Sequence, residues 1–399
     1  MNAIRPRILV LVQYYLPGEK AGGPVQSIAG LVETLGDEFD FRIVTLDHDP
    51  GEGVPYESVS PDVWTRHEGV AVRYLSRRGA APLELRRLLQ ASDCDLLYLN
   101  SLFSPRFSIL PVFFRRFGLI PKVPLLLAPR GELSEGALAL HSGRKTSYLR
   151  LAKALGLHQD AYWLASTALE ADEIRARFPH ARRIGVAMDF GRAAPDGPSS
   201  QADHVEKKPG RLSVVFISRI DRMKNLGGAL KALRAVTGEV EFSIYGPKED
   251  AAYFAECERL IARLPSNVQV RYMGTVPHDD VHATFARHDL FLFPTHGENF
   301  GHVILEALSA GCPVLTSDRT PWRGLEKASA GWDLPLDDLD AFSSVLRRCV
   351  DAGPDEWNRM RAGARSFARL GGARDAAIEQ HRRVLRDASA SRLGELVSR

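Results

Sequence analysis

Cysteine is scarce and scattered: four in 399 residues (Cys94, Cys257, Cys312, Cys349), with no C-x-x-C pair and no zinc-type spacing. That excludes a disulfide framework and a cysteine-ligated metal centre, and predicts reduced, mostly buried thiols in a reducing compartment. Long apolar runs are missing as well. No stretch approaches the roughly eighteen uninterrupted apolar residues of a membrane-spanning helix. The N-terminal run Ile8–Val12 behind Arg5 and Arg7 is too short for a signal peptide and is broken by Gln13 and Pro17. It reads as a first buried strand, in a protein that is cytoplasmic or sits on the inner face of the membrane. An excess of one charge is also lacking: 52 Lys and Arg stand against 49 Asp and Glu, a net +3. A nucleic-acid binder shows a strongly basic face, so no nucleic-acid partner is expected.

What is present suits a folded enzyme. Apolar residues make up 45% and charged residues 25%, enough for a substantial core. The chain is too long for one core and suits two domains of about 180 to 200 residues. Short apolar runs alternate with helical periodicity, the pattern of a parallel α/β architecture. Strands are expected near 7–15, 41–47, 70–75, 96–101, 123–129 and 161–166, with helices near 23–35, 83–91, 106–117, 144–156 and 167–178. The pattern restarts with strands near 212–219, 240–246, 268–274, 290–295 and 313–317, and helices near 225–236, 251–264, 278–287 and 302–311. Between the two lies a stretch, 191–210, rich in Pro, Gly, Ser and charge, the best boundary in the chain. The expected organisation is a Rossmann-like domain over 1–190, the linker, a second such domain over 211–371, and a helix over 372–399 that crosses back to the first domain. Ligands of doubly wound sheets bind beyond the carboxyl ends of the strands.

One segment is most informative. The apolar run Leu290–Phe293 is followed by HGENFGHVILEALSAGCPVLTSD, residues 296–318. It reads as a buried strand, a glycine-containing loop, and a helix closed by Gly311 and Pro313. A loop opening through Gly297 and Gly301 onto a helix start offers backbone N–H groups and a positive dipole end to phosphate. Glu298 lies in the loop and Glu306 on the helix, where carboxylates can accept hydrogen bonds from sugar or ribose hydroxyls. Upstream, SRIDRMKN (218–225) ends another apolar run, and Arg219 and Lys224 leave it as a cation pair suited to a diphosphate.

Residues 296–318 resemble the E-x7-E motif of retaining glycosyltransferases of the GT-B fold, family 4 (group 1) type. The resemblance implies an α/β protein of two Rossmann-like doubly wound domains facing a cleft. It implies that Glu298 approaches the transferred sugar, that Asn299, Phe300 and Gly301 bring backbone amides to sugar and phosphate, and that Glu306 binds ribose hydroxyls. SRIDRMKN is similar to the family's G-R-x-x-x-x-K-G/N segment, with Ser218 where glycine is common; Arg219 and Lys224 then neutralise the diphosphate. Thr275 and Val276, after Gly274, match a position that contacts the base through its main chain, although a plain strand-to-helix turn accounts for them equally. PGEKAGG (17–23) is similar to a loop that approaches the donor phosphate, through Gly22 and Gly23.

In the first half, Asn100 and the PRGEL phrase (129–133) end apolar strands. Asn100, Arg130 and Glu132 are candidates for acceptor or sugar contact, with a capping or interdomain role as the alternative for Arg130 and Glu132. Trp163–Thr167 and Gly185–Asp189 depart from the family phrases at those places and receive no catalytic role. Asp47-x-Asp49 and Asp93-x-Asp95 match a common two-residue pattern without further ligands, so no metal and no cofactor are expected. The phrases 113–122 and 144–153 mix aromatic and basic residues; each reads as a half-buried helix or as a contact to an anionic leaflet. The expected function is transfer of a sugar from a nucleoside-diphosphate sugar to a hydroxyl of a glycan or lipid-linked acceptor, in cell-surface polysaccharide assembly. A sugar-nucleotide epimerase of the same fold, or a non-catalytic nucleotide-sugar-binding protein, are the alternatives.

Overall fold

Two parallel sheets organise the chain, and in each the central strands are buried apolar runs. The computed structural model describes residues 5–18, 23–51, 53–134, 137–138, 142–192, 207–298, 300–369 and 372–397. Residues 193–206 of the expected linker lie outside the described residues, as do Gly22 and Asn299. The chain divides into one unit of Met1–Ala193 with Ala373–Arg399, and another of Ala194–Gly372.

In the first unit the strands are β1 (Arg7–Leu11), β2 (Asp40–Leu46), β3 (Trp64–His67), β4 (Val70–Leu75), β5 (Leu96–Leu99), β6 (Leu125–Leu127), β7 (Tyr162–Ala165) and β8 (Arg183–Val186). They line up as β3-β4-β2-β1-β5-β6-β7-β8. All pairs are parallel except β3 with β4. The order runs outward both ways from β1, whose Ile8 pairs with Phe41 on one side and Leu96 on the other. Such a reversal is the topological switch point of a doubly wound sheet.

Helices α1 (Gly23–Leu35), α2 (Pro82–Ala91), α3 (Leu110–Arg116), α4 (Ser142–Ala154) and α5 (Ala168–Arg177) connect these strands. A wide turn at Pro105–Ile109 leads into α3, with Ile109 N–H donating to Ser104 O at 2.9 Å. Helix α5 starts where Thr167 accepts from Glu170 N–H at 3.1 Å, a side-chain cap.

The second unit holds β9 (Arg211–Ile217), β10 (Glu239–Tyr245), β11 (Val268–Gly274), β12 (Leu290–Phe293), β13 (Val314–Ser317) and β14 (Gly331–Leu334). Their order is β11-β10-β9-β12-β13-β14, every pair parallel. Its helices are α6 (Leu226–Leu233), α7 (Ala251–Ile261), α8 (His278–Ala286), α9 (His302–Ser309), α10 (Leu339–Asp351) and α11 (Pro354–Arg369). All four residues of β12 are fully buried, and burying each such side chain is worth about 1.5–3 kcal/mol. That burial fixes the strand whose end launches the 294–301 loop.

The last helix, α12 (Gly372–Val397), packs on the first unit. Its Ala377, Val384, Leu385 and Ala388 join a core with Ile8, Val10 and Ile43. Arg382 and Arg386 both bond Glu38, at 2.8 and 2.7 Å.

Three strands were not anticipated from sequence. β3 is polar and half exposed, and β8 and β14 are short edge strands with Gly185 and Gly331 inside them. Neither kind carries the continuous apolar run that marks a central parallel strand.

Candidate functional site

Loops leaving the carboxyl ends of β9, β10, β12 and β13 are stitched together at one edge of the second sheet. His296 N–H and Thr295 Oγ1 both donate to Met223 O, at 2.8 and 3.1 Å. Asn225 Nδ2 donates to Pro294 O at 2.8 Å. Glu298 N–H reaches Arg319 O at 3.1 Å, and Ser317 Oγ donates to Thr295 O at 2.5 Å. Each bond ties a loop residue to a different strand end, so the side chains they carry are held by the sheet.

Lys224 and Glu298 meet here. Lys224 Nζ donates to Glu298 Oε1 at 2.5 Å, with 14% and 11% of the two side chains exposed. Little water reaches the pair, so its attraction is weakly screened. Lys224 is set by its neighbour: Asn225 sits in the left-handed region (φ 56°, ψ 45°), caps α6 by accepting from Gly228 N–H at 3.0 Å, and turns the chain. Lys224 N–H donates to Asp221 Oδ1, also at 3.0 Å.

Arg219 goes elsewhere. Its guanidinium bonds Glu249 at 2.9 Å, with 51% and 44% of the side chains exposed, and lies 3.9 Å from Asp221. An ion pair so exposed is worth only about 0–1 kcal/mol, so Arg219 can leave it at little cost. Glu249 comes from the β10 loop, which approaches the β9 loop closely through Gly246 (φ 136°). A Cβ there would stand 1.8 Å from Ser218 O.

Gly301 (φ 78°) is the N-cap of α9 and has Trp322 Nε1 3.4 Å from its Cβ position. Ile304 N–H closes the first turn of α9 on Gly301 O at 2.8 Å, and the helix dipole is positive at this end. Phe300 is buried, its ring 5.3 Å from Trp322, whose indole N–H donates to Phe300 O. Glu306 is half-buried one turn into α9. Thr275, exposed, and Val276, half-buried, follow Gly274 at the end of β11.

Two contributors escaped the sequence reading. Thr295 Oγ1 holds the loop through Met223 O and Gly297 O, both at 3.1 Å, and lies 3.5 Å from Glu298 Oε1. Trp322 braces Phe300. A hydroxyl residue two positions after an apolar strand, and an aromatic after Pro321, were the available signals.

In the first unit the candidate residues are engaged within the fold. Arg130 (φ 55°) ion-pairs with Asp189 and donates to Asn100 Oδ1 and Tyr98 Oη at 2.9 and 3.0 Å. Asn100 and Asp189 are buried. Glu132 accepts from Ser101 Oγ at 2.8 Å and from the N–H groups of Leu102 and Phe103 at 2.6 and 3.1 Å. Burial pushes its carboxyl above the usual range, opposed by those bonds. Gly23 begins α1. Asp47 pairs with His48 at 2.6 Å, while Asp93 and Asp95 bind the side chain and N–H of Arg7.

The site's parts therefore lie together on one sheet edge of the second unit: a shielded lysine–carboxylate pair, a loosely held arginine, and a glycine-capped helix start. Residues 200–365 match the domain family described as Glycosyl transferases group 1. Residues 22–187 match the one described as Glycosyl transferase 4-like domain. Each half of the chain thus carries a glycosyl transferase domain, the second of the group 1 type.

Among curated relatives, O-antigen chain mannosyltransferase B of Escherichia coli is 30% identical over 161 residues, 39% of this chain and 40% of that protein. The chain matches less than two thirds of the length of the curated relatives it resembles. Among solved structures, Anabaena HepE in complex with UDP and glucose superposes with a TM-score of 0.66 at 16% identity, over 97% of this chain and 100% of that one. WaaG, a glycosyltransferase involved in lipopolysaccharide biosynthesis, does so with 0.65 at 16% identity, over 93% and 98%. These structural likenesses establish the fold: two Rossmann-like α/β units, the GT-B fold.

Proposed function

We propose that the chain transfers a sugar, with retention of configuration, from a nucleoside-diphosphate sugar to a hydroxyl of a glycan or lipid-linked acceptor in cell-surface polysaccharide assembly. The second unit holds the donor and the first serves the acceptor. The observation that carries this reading is the pairing of Lys224 with Glu298 beside the start of α9.

As the bond from the anomeric carbon to the diphosphate oxygen stretches, negative charge grows on the diphosphate and positive charge on the sugar. Lys224 and the α9 amides meet the first, and Glu298 faces the second. Arg219 leaves Glu249 to add a second cation on the diphosphate. Glu306 receives the ribose hydroxyls, and main-chain atoms of Thr275 and Val276 contact the base. The backbone at Phe300 and Gly301 lies along the sugar. Lys224 and Arg219 supply the positive charge that a divalent ion supplies elsewhere, so transfer proceeds without a metal and withstands chelation.

Support for the donor class comes from the HepE structure, which holds UDP and glucose. Support for the acceptor class comes from the O-antigen mannosyltransferase and WaaG. A thermal-shift panel of UDP, GDP, dTDP and ADP sugars together with CMP sugars tests the reading, because a ligand of the folded state raises its melting temperature. One nucleoside-diphosphate sugar should stabilise the protein and then turn over with a hydroxyl acceptor, the product anomer matching the donor by NMR. Stabilisation by none of them, or an inverted anomer, would refute it.

A further inference from the structure

Tyr272 stands near the end of β11 with its residue 39% exposed, yet its hydroxyl is fixed: it donates to Gly246 O at 2.9 Å. Gly246 N–H in turn donates to Gly274 O at 2.8 Å. The ring is held as well, because Lys248 Nζ lies 4.3 Å from its centroid and 3.8 Å from that of Phe254. These contacts fasten residues 246–248 of the β10 loop to the end of β11.

The same stretch of the β10 loop grips Arg219 from the other side. Ser218 N–H donates to Tyr245 O at 3.1 Å and Ile220 N–H to Pro247 O at 2.9 Å, so the backbone on both sides of Arg219 is bonded to it. Asp250 N–H returns to Ile220 O at 3.2 Å. The Arg219 guanidinium rests on Glu249. Gly246 lies between the two sets of contacts, with no side chain to separate it from Ser218 O. A shift at Gly246 therefore reaches Arg219 directly. Lys224 is held separately, since its neighbours Met223 and Asn225 bond the loop after β12.

We propose that Tyr272 is a positioning residue for the donor: its hydroxyl, through Gly246, sets the backbone that carries Arg219 and so fixes where the guanidinium meets the diphosphate. The proposal rests on the reading above, in which Arg219 binds that diphosphate. Small displacements of a binding group are costly when the geometry must be met closely. A tyrosine that served the core alone would bury its ring; this one leaves the ring at the surface and aims its hydroxyl at a main-chain carbonyl beside the cation. Because Thr275 and Val276 follow Gly274 directly, the same tie links the base end of the donor to its phosphate end.

A double-mutant cycle of Tyr272→Phe and Arg219→Ala tests it, read by calorimetry with UDP, GDP, dTDP and ADP as probes. Tyr272→Phe should weaken the nucleoside diphosphate that binds the parent by about 3- to 10-fold, the size of one hydrogen bond. In the Arg219→Ala background the same change should cost less than about 2-fold, because the group it positions is gone. The matching nucleoside, which has no phosphate for Arg219, should bind Tyr272→Phe and the parent equally in competition. The melting temperature without nucleotide should fall by no more than about 4 °C. Binding of none of the four probes by the parent would overturn the donor reading and this inference with it. Unchanged affinity in Tyr272→Phe, equal losses in both backgrounds, an equal loss for the nucleoside, or a larger fall in melting temperature would overturn this inference alone.

Discussion

Lys224 and Glu298, 74 residues apart in sequence, share a 2.5 Å hydrogen-bonded ion pair at the edge of one sheet. Both side chains are largely withdrawn from water, so removing one partner strands the other. Lys224→Met or Glu298→Gln should each destabilise the second unit by about 3 kcal/mol, the range for breaking a shielded pair. The double variant should recover part of that loss. Denaturant unfolding of all three checks it; strictly additive losses would mean the pair is not coupled.

Asn225 does three things at once: it occupies a left-handed backbone conformation, caps α6 and donates to Pro294 O. Asn225→Gly keeps the first and loses the other two, and should cost about 1 kcal/mol. Asn225→Ala loses all three, and should cost about 2–3 kcal/mol. The order Gly milder than Ala, read from unfolding midpoints, is the expected outcome.

Gly246 allows the β10 loop to lie against Ser218 O, where a Cβ would be 1.8 Å away. Gly246→Ala must push the β9 and β10 loops apart and displace Arg219. Stability should fall by several kcal/mol, and sugar-nucleotide stabilisation should shrink in whatever protein remains folded. Gly69→Ala makes the comparison, since a Cβ there meets nothing within 4 Å. Both substitutions carry the cost of positive φ, and only the first carries the collision.

Burial pushes the pKa of His158 down to about 4. His381 is likewise pushed down to about 4 by burial, with a bond to Ala377 O opposing and the charge of Arg130 assisting. Both are neutral in the fold, so the stability they contribute is present above pH 6.5 and is lost as pH falls toward 4. Each should account for about 2 kcal/mol between pH 7 and pH 5. His381→Leu should flatten the pH dependence of unfolding by roughly that amount; an unchanged slope would contradict it.

Much of this architecture was legible in the chain because central parallel strands are continuous apolar runs. Leu290–Phe293 and Leu96–Leu99 declare themselves that way, and Gly311 with Pro313 closes α9 visibly. β3, with Trp64, Arg66 and His67, carries no such run and escaped notice. Side-chain partners were harder to read. Nothing local reveals that Arg130 turns inward to Asp189, 59 positions on, or that Arg219 bonds Glu249 from another loop. Those choices depend on which strand ends become neighbours, a property of the sheet order. The closeness of Lys224 and Glu298 follows from the pairing of β9 with β12, which no spacing along the chain encodes.

The most direct measurement is the dissociation constant of the nucleoside diphosphate selected by the thermal-shift panel, determined by calorimetry for the parent and for Lys224→Ala. The proposed diphosphate contact predicts a loss of about 10- to 100-fold, the size of one charge-assisted hydrogen bond, with transfer falling by about 100-fold or more. Unchanged affinity and near-normal transfer in Lys224→Ala would contradict the account at its centre.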